Sequence, residues 1–239
     1  MATISIPGSL SAVLERHAAG LHSVVPFDPA RDRLYAFDFT ERNAVLSPND
    51  IADTERFAAY INRTLQSHQA RYGFGGYNEH RTLYARSKHF DTGEEPRRLH
   101  LGIDIWGPAG TRVMAPLTGI VHSFAFNNND SDYGATLILT HQLDGIVFHT
   151  LYGHLSLNSL KNLEEGQRVR PGEVIAEFGM RFENGNWPPH LHFQVIADMQ
   201  GWKGDYPGVC RYSERQQWLD NCPDPDQILQ MRRYKDKVF

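Results

Sequence analysis

The sequence predicts a mostly β fold, and two observations carry that prediction. Residues 111–126, 135–141, 145–154, 166–178 and 190–197 are short runs rich in Val, Ile, Phe, Thr and Tyr, separated by clusters of Gly, Pro and Asn. No helix-length periodic segment interrupts them. Helical patterns come earlier, so a small α/β accessory region at 1–95 is expected ahead of a β domain at 96–200. Residues 201–239 are expected as a C-terminal extension packed on the core.

In chain order, residues 9–20 and 51–69 read as helices. In the second, Ile51, Phe57, Ala58, Ile61 and Leu65 are spaced for one apolar face, with Ser47 or Asp50 available as cap. Between them "RLYAFDFT" reads as a short strand, and the glycine-rich "YGFGGYNEHRTLY" from Tyr72 to Tyr84 as a turn that shapes a groove. Arg81, Tyr84 and the stretch Arg86 to His89 are candidates to line that groove, without assigned roles. His100 to Trp106, closed by Gly107 and Pro108, favours a strand. Side chains two apart on a strand share a face, so His100 and Asp104 are expected on one side and Leu101, Ile103 and Ile105 on the other. The same rule puts Tyr152 beside His154. It puts His190 beside His192, with Leu191 and Phe193 inward, after the rigid approach of Pro188 and Pro189.

Two such strands aim four polar groups at one point, which supplies three metal ligands and a spare imidazole. Hydrolytic zinc takes three ligands from His, Asp or Glu and keeps a fourth position open. Two neutral imidazoles and one carboxylate leave a positive site that lowers the pKa of water to roughly 7. In a chain with twelve His an H-x-H alone is a weak signal, and an H-x-x-x-D is weaker because a strand-end carboxylate is usually solvated. Their combination within alternating apolar residues is what points to a metal. His122, His141 and His149, in apolar stretches, are expected to serve packing or hydrogen bonding.

These motifs resemble the lysostaphin-type, LytM-like zinc metallopeptidases, whose signatures are H-x-G-x-D and H-x-H with a further His in a Y-x-H-L context. Here they are His100-Leu-Gly-Ile-Asp104, His190-Leu-His192 and Tyr152-Gly-His154-Leu155. "PAGTRVMAPLTGIVHSF", "GATLILTHQLDGIVFHTLYGHLS", "EEGQRVRPGEVIAEFG" and "PPHLHFQV" follow in the family's order, over roughly residues 97 to 197. The resemblance implies a zinc-dependent hydrolase of peptide or amide bonds, with one Zn2+ per chain held by His100, Asp104 and His192. His154 and His190 are then the catalytic, non-ligating residues. None of the motifs holds a carboxylate general base, so imidazoles must move the protons. The implied fold is a split antiparallel β-sheet, the duplicated hybrid motif, related to the barrel-sandwich of lipoyl and biotinyl carriers. A carrier would need a lysine at a hairpin tip, and Lys161 in "SLKNLEEG" is a poor one. The alternative within the family is a zinc-binding, non-catalytic or regulatory protein, which loss of a motif residue would favour; none is lost.

In some relatives an asparagine occupies the open zinc position, a role Asn78 is positioned in sequence to take. "FENGNWPP" departs from the family's glycine-rich approach and, with Trp187, is expected to reshape the pocket. The N-terminal portion, with "GGYNEHR", is similar to peptidase-like domains fused to aminotransferase and kinase-type modules, which implies a small peptide or amide substrate.

At 239 residues and 41% hydrophobic, the chain can bury one good core and a small accessory region. A net charge of −4, from 24 basic and 28 acidic residues, is too mild to suggest nucleic acid. Arg97 with Arg98, and "MRRYKDKVF", are expected as solvated surface. There is no membrane-spanning apolar run and no secretory pattern at the start, so a cytoplasmic location is expected. Cys210 and Cys222 lack metal or redox spacing and are expected as unpaired thiols.

Overall fold

Period-two alternation, broken at a few defined places, builds three sheets among the described residues. The computed structural model describes residues 9–81 and 95–235. The N-terminal part contains α1 (Leu10–His17), β1 (Leu34–Ala36), α2 (Pro48–Ala52), α3 (Thr54–Ser67), β2 (Tyr72–Gly75) and β3 (Glu79–His80). The centre contains β4 (Leu99–His100), β5 (Ile103–Trp106), β6 (Arg112–Met114), β7 (Gly119–Asn127), β8 (Gly134–Leu143) and β9 (Ile146–Leu155). It continues with β10 (Arg168–Val169), β11 (Val174–Glu177) and β12 (His190–Ile196), and the C-terminal part adds β13 (Val209–Cys210), α4 (Arg215–Asn221) and α5 (Asp226–Leu229). The large sheet runs β1-β2-β5-β12-β9-β8-β7-β10; β11 pairs with β6, and β4 lies between β13 and β3. The β1–β2 pair is parallel, and the other strand pairings named here are antiparallel. The fold is mostly β, as its alternation predicts.

Local chemistry sets the element ends. β8 and β9 form a hairpin across Asp144 (φ 49°) and Gly145 (φ 83°), the left-handed pair that a two-residue primed turn requires. The single helix expected over 51–69 is two helices. Ser47 and Asp50 form a capping box on α2, and Asp53, in extended backbone, accepts from Glu55 N and Arg56 N to start α3. The single strand expected from His100 to Trp106 is also divided: Leu101 and Gly102 separate β4 from β5, which belong to different sheets. His100 and Asp104 therefore share a destination without sharing a strand face.

The large sheet has a different core on each face. Leu191, Phe193 and Val195 of β12 pack with Ile103, Ile105, Leu137, Leu139 and Tyr152 on one side. On the other side, α3 contributes Phe57, Ile61 and Leu65 to a cluster with Phe37, Phe39 and Trp106, and the C-terminal part contributes Tyr206, Cys210 and Cys222 to one with Leu99, Leu101 and Ile196. Between these last two clusters the alternate residues of β12, His190, His192 and Gln194, are buried polar groups.

Candidate metal centre

Strand register delivers the first three groups. His192 of β12 lies opposite Asp104 on β5 and opposite Gly153 on β9. His100 reaches the same point from β4. Its Nε2 is 2.9 Å from His192 Nδ1 and 3.3 Å from Asp104 Oδ1, and His192 Nδ1 is 3.1 Å from the same oxygen. Gly102 makes the approach possible, because a Cβ there would stand 2.5 Å from His192 Cε1 and 2.8 Å from Phe193 O.

The outer hydrogen bonds fix which ring nitrogens carry protons. His100 Nδ1 donates to Gly76 O at 3.0 Å, which leaves Nε2 with a lone pair. The Gln194 amide donates to Pro207 O and Cys222 Sγ, so its oxygen faces His192 Nε2 at 2.9 Å and receives that proton, leaving Nδ1 with a lone pair. Tyr133 Oη is a second neighbour of His192 Nε2, at 3.3 Å. Burial, then the Arg81 charge, pushes His100 down to about 3, so its ring is neutral. Burial would raise the Asp104 carboxyl, but its charged and hydrogen-bonded surroundings, in which the Arg81 guanidinium is the permanent positive charge, more than offset it and hold the group well below the usual carboxylate range.

With those tautomers, lone pairs of His100 Nε2, His192 Nδ1 and Asp104 Oδ1 converge within 3.3 Å of one another. Buried acceptors in that arrangement call for a cation. Tetrahedral zinc with bonds of about 2.0–2.1 Å spaces its donors by roughly 3.3 Å, so the donor set fits in number, type and spacing. His100, Asp104 and His192 form the group of metal-capable residues found among the described residues.

Two further imidazoles stand beside it. His190 Nδ1 donates to Pro188 O at 2.7 Å, and its ring stacks on Trp106 at 3.9 Å. His154 Nδ1 donates to Asn184 O at 2.8 Å, and its ring centroid lies 4.2 Å from that of His190. In each, Nε2 carries the lone pair, and His190 Nε2 is 4.0 Å from Asp104 Oδ1. Burial pushes His190 down to about 4 and, with His190 next to it, His154 well below the usual range.

Alternation predicts that His154 shares a face with Tyr152, and it does not. Leu137 pairs with Tyr152 and Ala135 with Leu155, so Gly153 and His154 together oppose Thr136 in a β-bulge. His154 sits there at φ +62°, which turns its ring toward His190 and the candidate metal centre while Tyr152 enters the core. "FENGNW" supplies its anchor. Fully buried Asn184 donates to Gly179 O and Trp187 O and accepts from Trp187 N, fixing the loop whose carbonyl holds His154.

The five site residues open onto a cleft of about 190 Å³ walled by Trp187, Tyr133, Trp202 and Tyr206. Arg97, expected on solvated surface, is half-buried and lines this cleft. Asn78 accepts from Arg215 Nε at 2.7 Å, an orientation that gives it to Arg215 rather than to the metal-ligand position. Tyr84 and Arg86 to His89 lie outside the described residues. His141 bonds Thr118 O and Thr150 Oγ1, and His122 bonds Ser123 Oγ, the structural roles expected of them. Cys210 and Cys222 are buried unpaired thiols, both pushed up to about 12 by burial. No helix among the described residues is long and apolar enough to cross a membrane. Sequence reasoning missed Gln194, which alternation could have placed beside His192, and Tyr133, which no local signal marks.

Residues 98–203 match the model of peptidase family M23. The DD-carboxypeptidase/endopeptidase Mpg of Neisseria meningitidis serogroup B (strain ATCC BAA-335 / MC58) is 36% identical over 131 residues, 53% of this chain and 28% of that protein. The L-Ala--D-Glu endopeptidase of Bacillus subtilis (strain 168) is 29% identical over 107 residues, 43% of this chain and 31% of that protein. The chain thus spans under a third of the length of these curated relatives. Among solved structures, the lysostaphin catalytic domain from Staphylococcus simulans aligns with a TM-score of 0.41 at 24% identity, over 72% of this chain and 97% of that one. A zinc containing peptidase from Vibrio cholerae aligns with a TM-score of 0.33 at 31% identity, over 41% and 27%.

Proposed function

We propose that this chain, whose residues 98–203 match the model of peptidase family M23, is a zinc-dependent hydrolase of peptide bonds. His100, Asp104 and His192 hold one Zn2+, and His154 and His190 move the protons. The observation that carries this reading is the convergence of three buried ligand atoms, His100 Nε2, Asp104 Oδ1 and His192 Nδ1, all within 3.3 Å of one another. A bound zinc supplies Lewis acidity toward a carbonyl oxygen and acidifies water.

The chain's own residues supply the rest. His154 and His190 each commit Nδ1 to a main-chain carbonyl and present Nε2 toward the centre, so each can accept a proton there. Once protonated, either ring can donate to an oxyanion or to the leaving amine. Trp106 holds the plane of His190 by stacking, and Asn184 holds that of His154. Peptides containing D-residues are the proposed substrate class, from the names of the two curated relatives.

The test is metal content by elemental analysis beside turnover of peptides ending in D-Ala-D-Ala or containing L-Ala-D-Glu. Wild type is expected to carry one zinc, and His192→Ala none and no activity. His154→Ala is expected to keep the metal and lose activity by about 10²–10⁴-fold. A fully active His154→Ala protein ends the catalytic assignment, and a wild type that holds zinc but turns over neither substrate favours the non-catalytic alternative.

A further inference from the structure

Arg81 lies outside the matched segment, yet it is 1% exposed and its guanidinium ends on Asp104. Nη1 donates to Asp104 Oδ2 at 2.5 Å, Nε to Glu79 Oε2 at 2.7 Å and Nη2 to Gly75 O at 3.3 Å. Glu79 is itself fixed, accepting from Phe39 N at 3.0 Å. Gly76 gives the guanidinium its room, because a Cβ there would stand 1.7 Å from Arg81 Nη2. The Asp104 oxygen that faces the two imidazoles is the other one, Oδ1.

A carboxylate can give a metal one oxygen or both. We propose that Arg81 is a positioning residue that restricts Asp104 to one-oxygen ligation, and so keeps the donor set at three with a fourth position open to substrate. The inference rests on the zinc reading above. Its physical basis is that turning Oδ2 toward a cation would break a buried, charge-assisted hydrogen bond from the guanidinium. The fixed positive charge also opposes a second approach from that side. A site restricted to three N and O donors suits a small tetrahedral cation, whereas a two-oxygen carboxylate admits cations of higher coordination.

Cobalt(II) substitution reads coordination directly, since its visible absorption is strong at four-coordinate sites and weak at five- or six-coordinate ones. Cobalt-loaded wild type is expected to show the strong band. Arg81→Met is expected to bind cobalt with the band several-fold weaker, and its preference for zinc over manganese is expected to fall by about 10–100-fold. Arg81→Lys, which returns a donor to Oδ2, is expected to recover part of the band. Where Arg81→Met does not fold because Glu79 loses its ion-pair partner, Glu79→Gln/Arg81→Met removes that half-buried charge and carries the same expectation. A strong band and unchanged selectivity in the folded variants overturn the inference alone. A wild type that binds neither cobalt nor zinc overturns the zinc reading, and the inference with it.

Discussion

His192 and His154 lie 6.3 Å apart, centroid to centroid, and are delivered in opposite ways. His192 comes from a strand buried over its whole length and paired on both sides, with Asp104 directly across the ladder. Moving it means shifting the register of a central strand, which would turn Leu191 and Phe193 out of the core. His154 comes from a bulge, in a left-handed conformation that costs a non-glycine residue on the order of 1 kcal/mol. Its ring is held there by one loop carbonyl, that of Asn184, through Nδ1. The groups that would bind metal thus rest on the sheet, and those that would move protons rest on an exception to it. The two halves should therefore fail separately.

The strongest challenge to the ligand half is Gly102→Ala. The added methyl meets the His192 ring and Phe193 O, and metal affinity is expected to fall more than about 100-fold, measured by chelator competition. Unchanged affinity would mean that the ring has freedom the sheet does not suggest. Asn184→Ala challenges the other half. It unpins the loop behind His154, so turnover should fall by about 10²-fold with metal content intact. Thermal stability should fall by about 1–3 kcal/mol in the same variant. Metal lost in step with turnover would break the comparison. Gln194→Leu removes the acceptor that fixes the His192 tautomer and should weaken metal binding by about 10–100-fold while leaving His154 in place.

His141 sharpens the contrast as a buried imidazole with both nitrogens already used. Burial pushes it from 6.5 down to about 4. The unfolded chain takes up this proton near pH 6.5 and the folded chain only near pH 4. The stability at stake is therefore complete above pH 6.5 and lost progressively as pH falls toward 4. Between pH 7 and about 5.5 the loss is on the order of 1 kcal/mol, which His141→Gln should remove from the difference between melts at those two pH values. An unchanged difference would show that His141 is not the group responsible.

The sheet-borne half was the readable half. His190 and His192 follow alternation along one strand, and the spacing of His100 and Asp104 was informative even though Gly102 divides the strand assumed to carry both. Alternation placed His154 beside Tyr152, because a bulge is set by the partner strand's register rather than by residues near it in sequence. Arg81 escaped a role because nothing in "GGYNEHR" tells that its guanidinium will be buried against a carboxylate 23 residues later. Strands β2, β3 and β13 are short or glycine-rich and owe their pairing to neighbours distant in sequence.

β4, only two residues long, carries His100 between β3 and β13, and both of those flanking strands lie outside residues 98–203. Trp106, which orients His190, likewise leans on Phe39 and Phe57 from the N-terminal part. A fragment cut to the matched segment would still spell every motif, but His100 would sit on a ribbon with two bare edges and Trp106 would lose its backing. What makes the core work in this chain is carried on segments that a motif-guided truncation would discard.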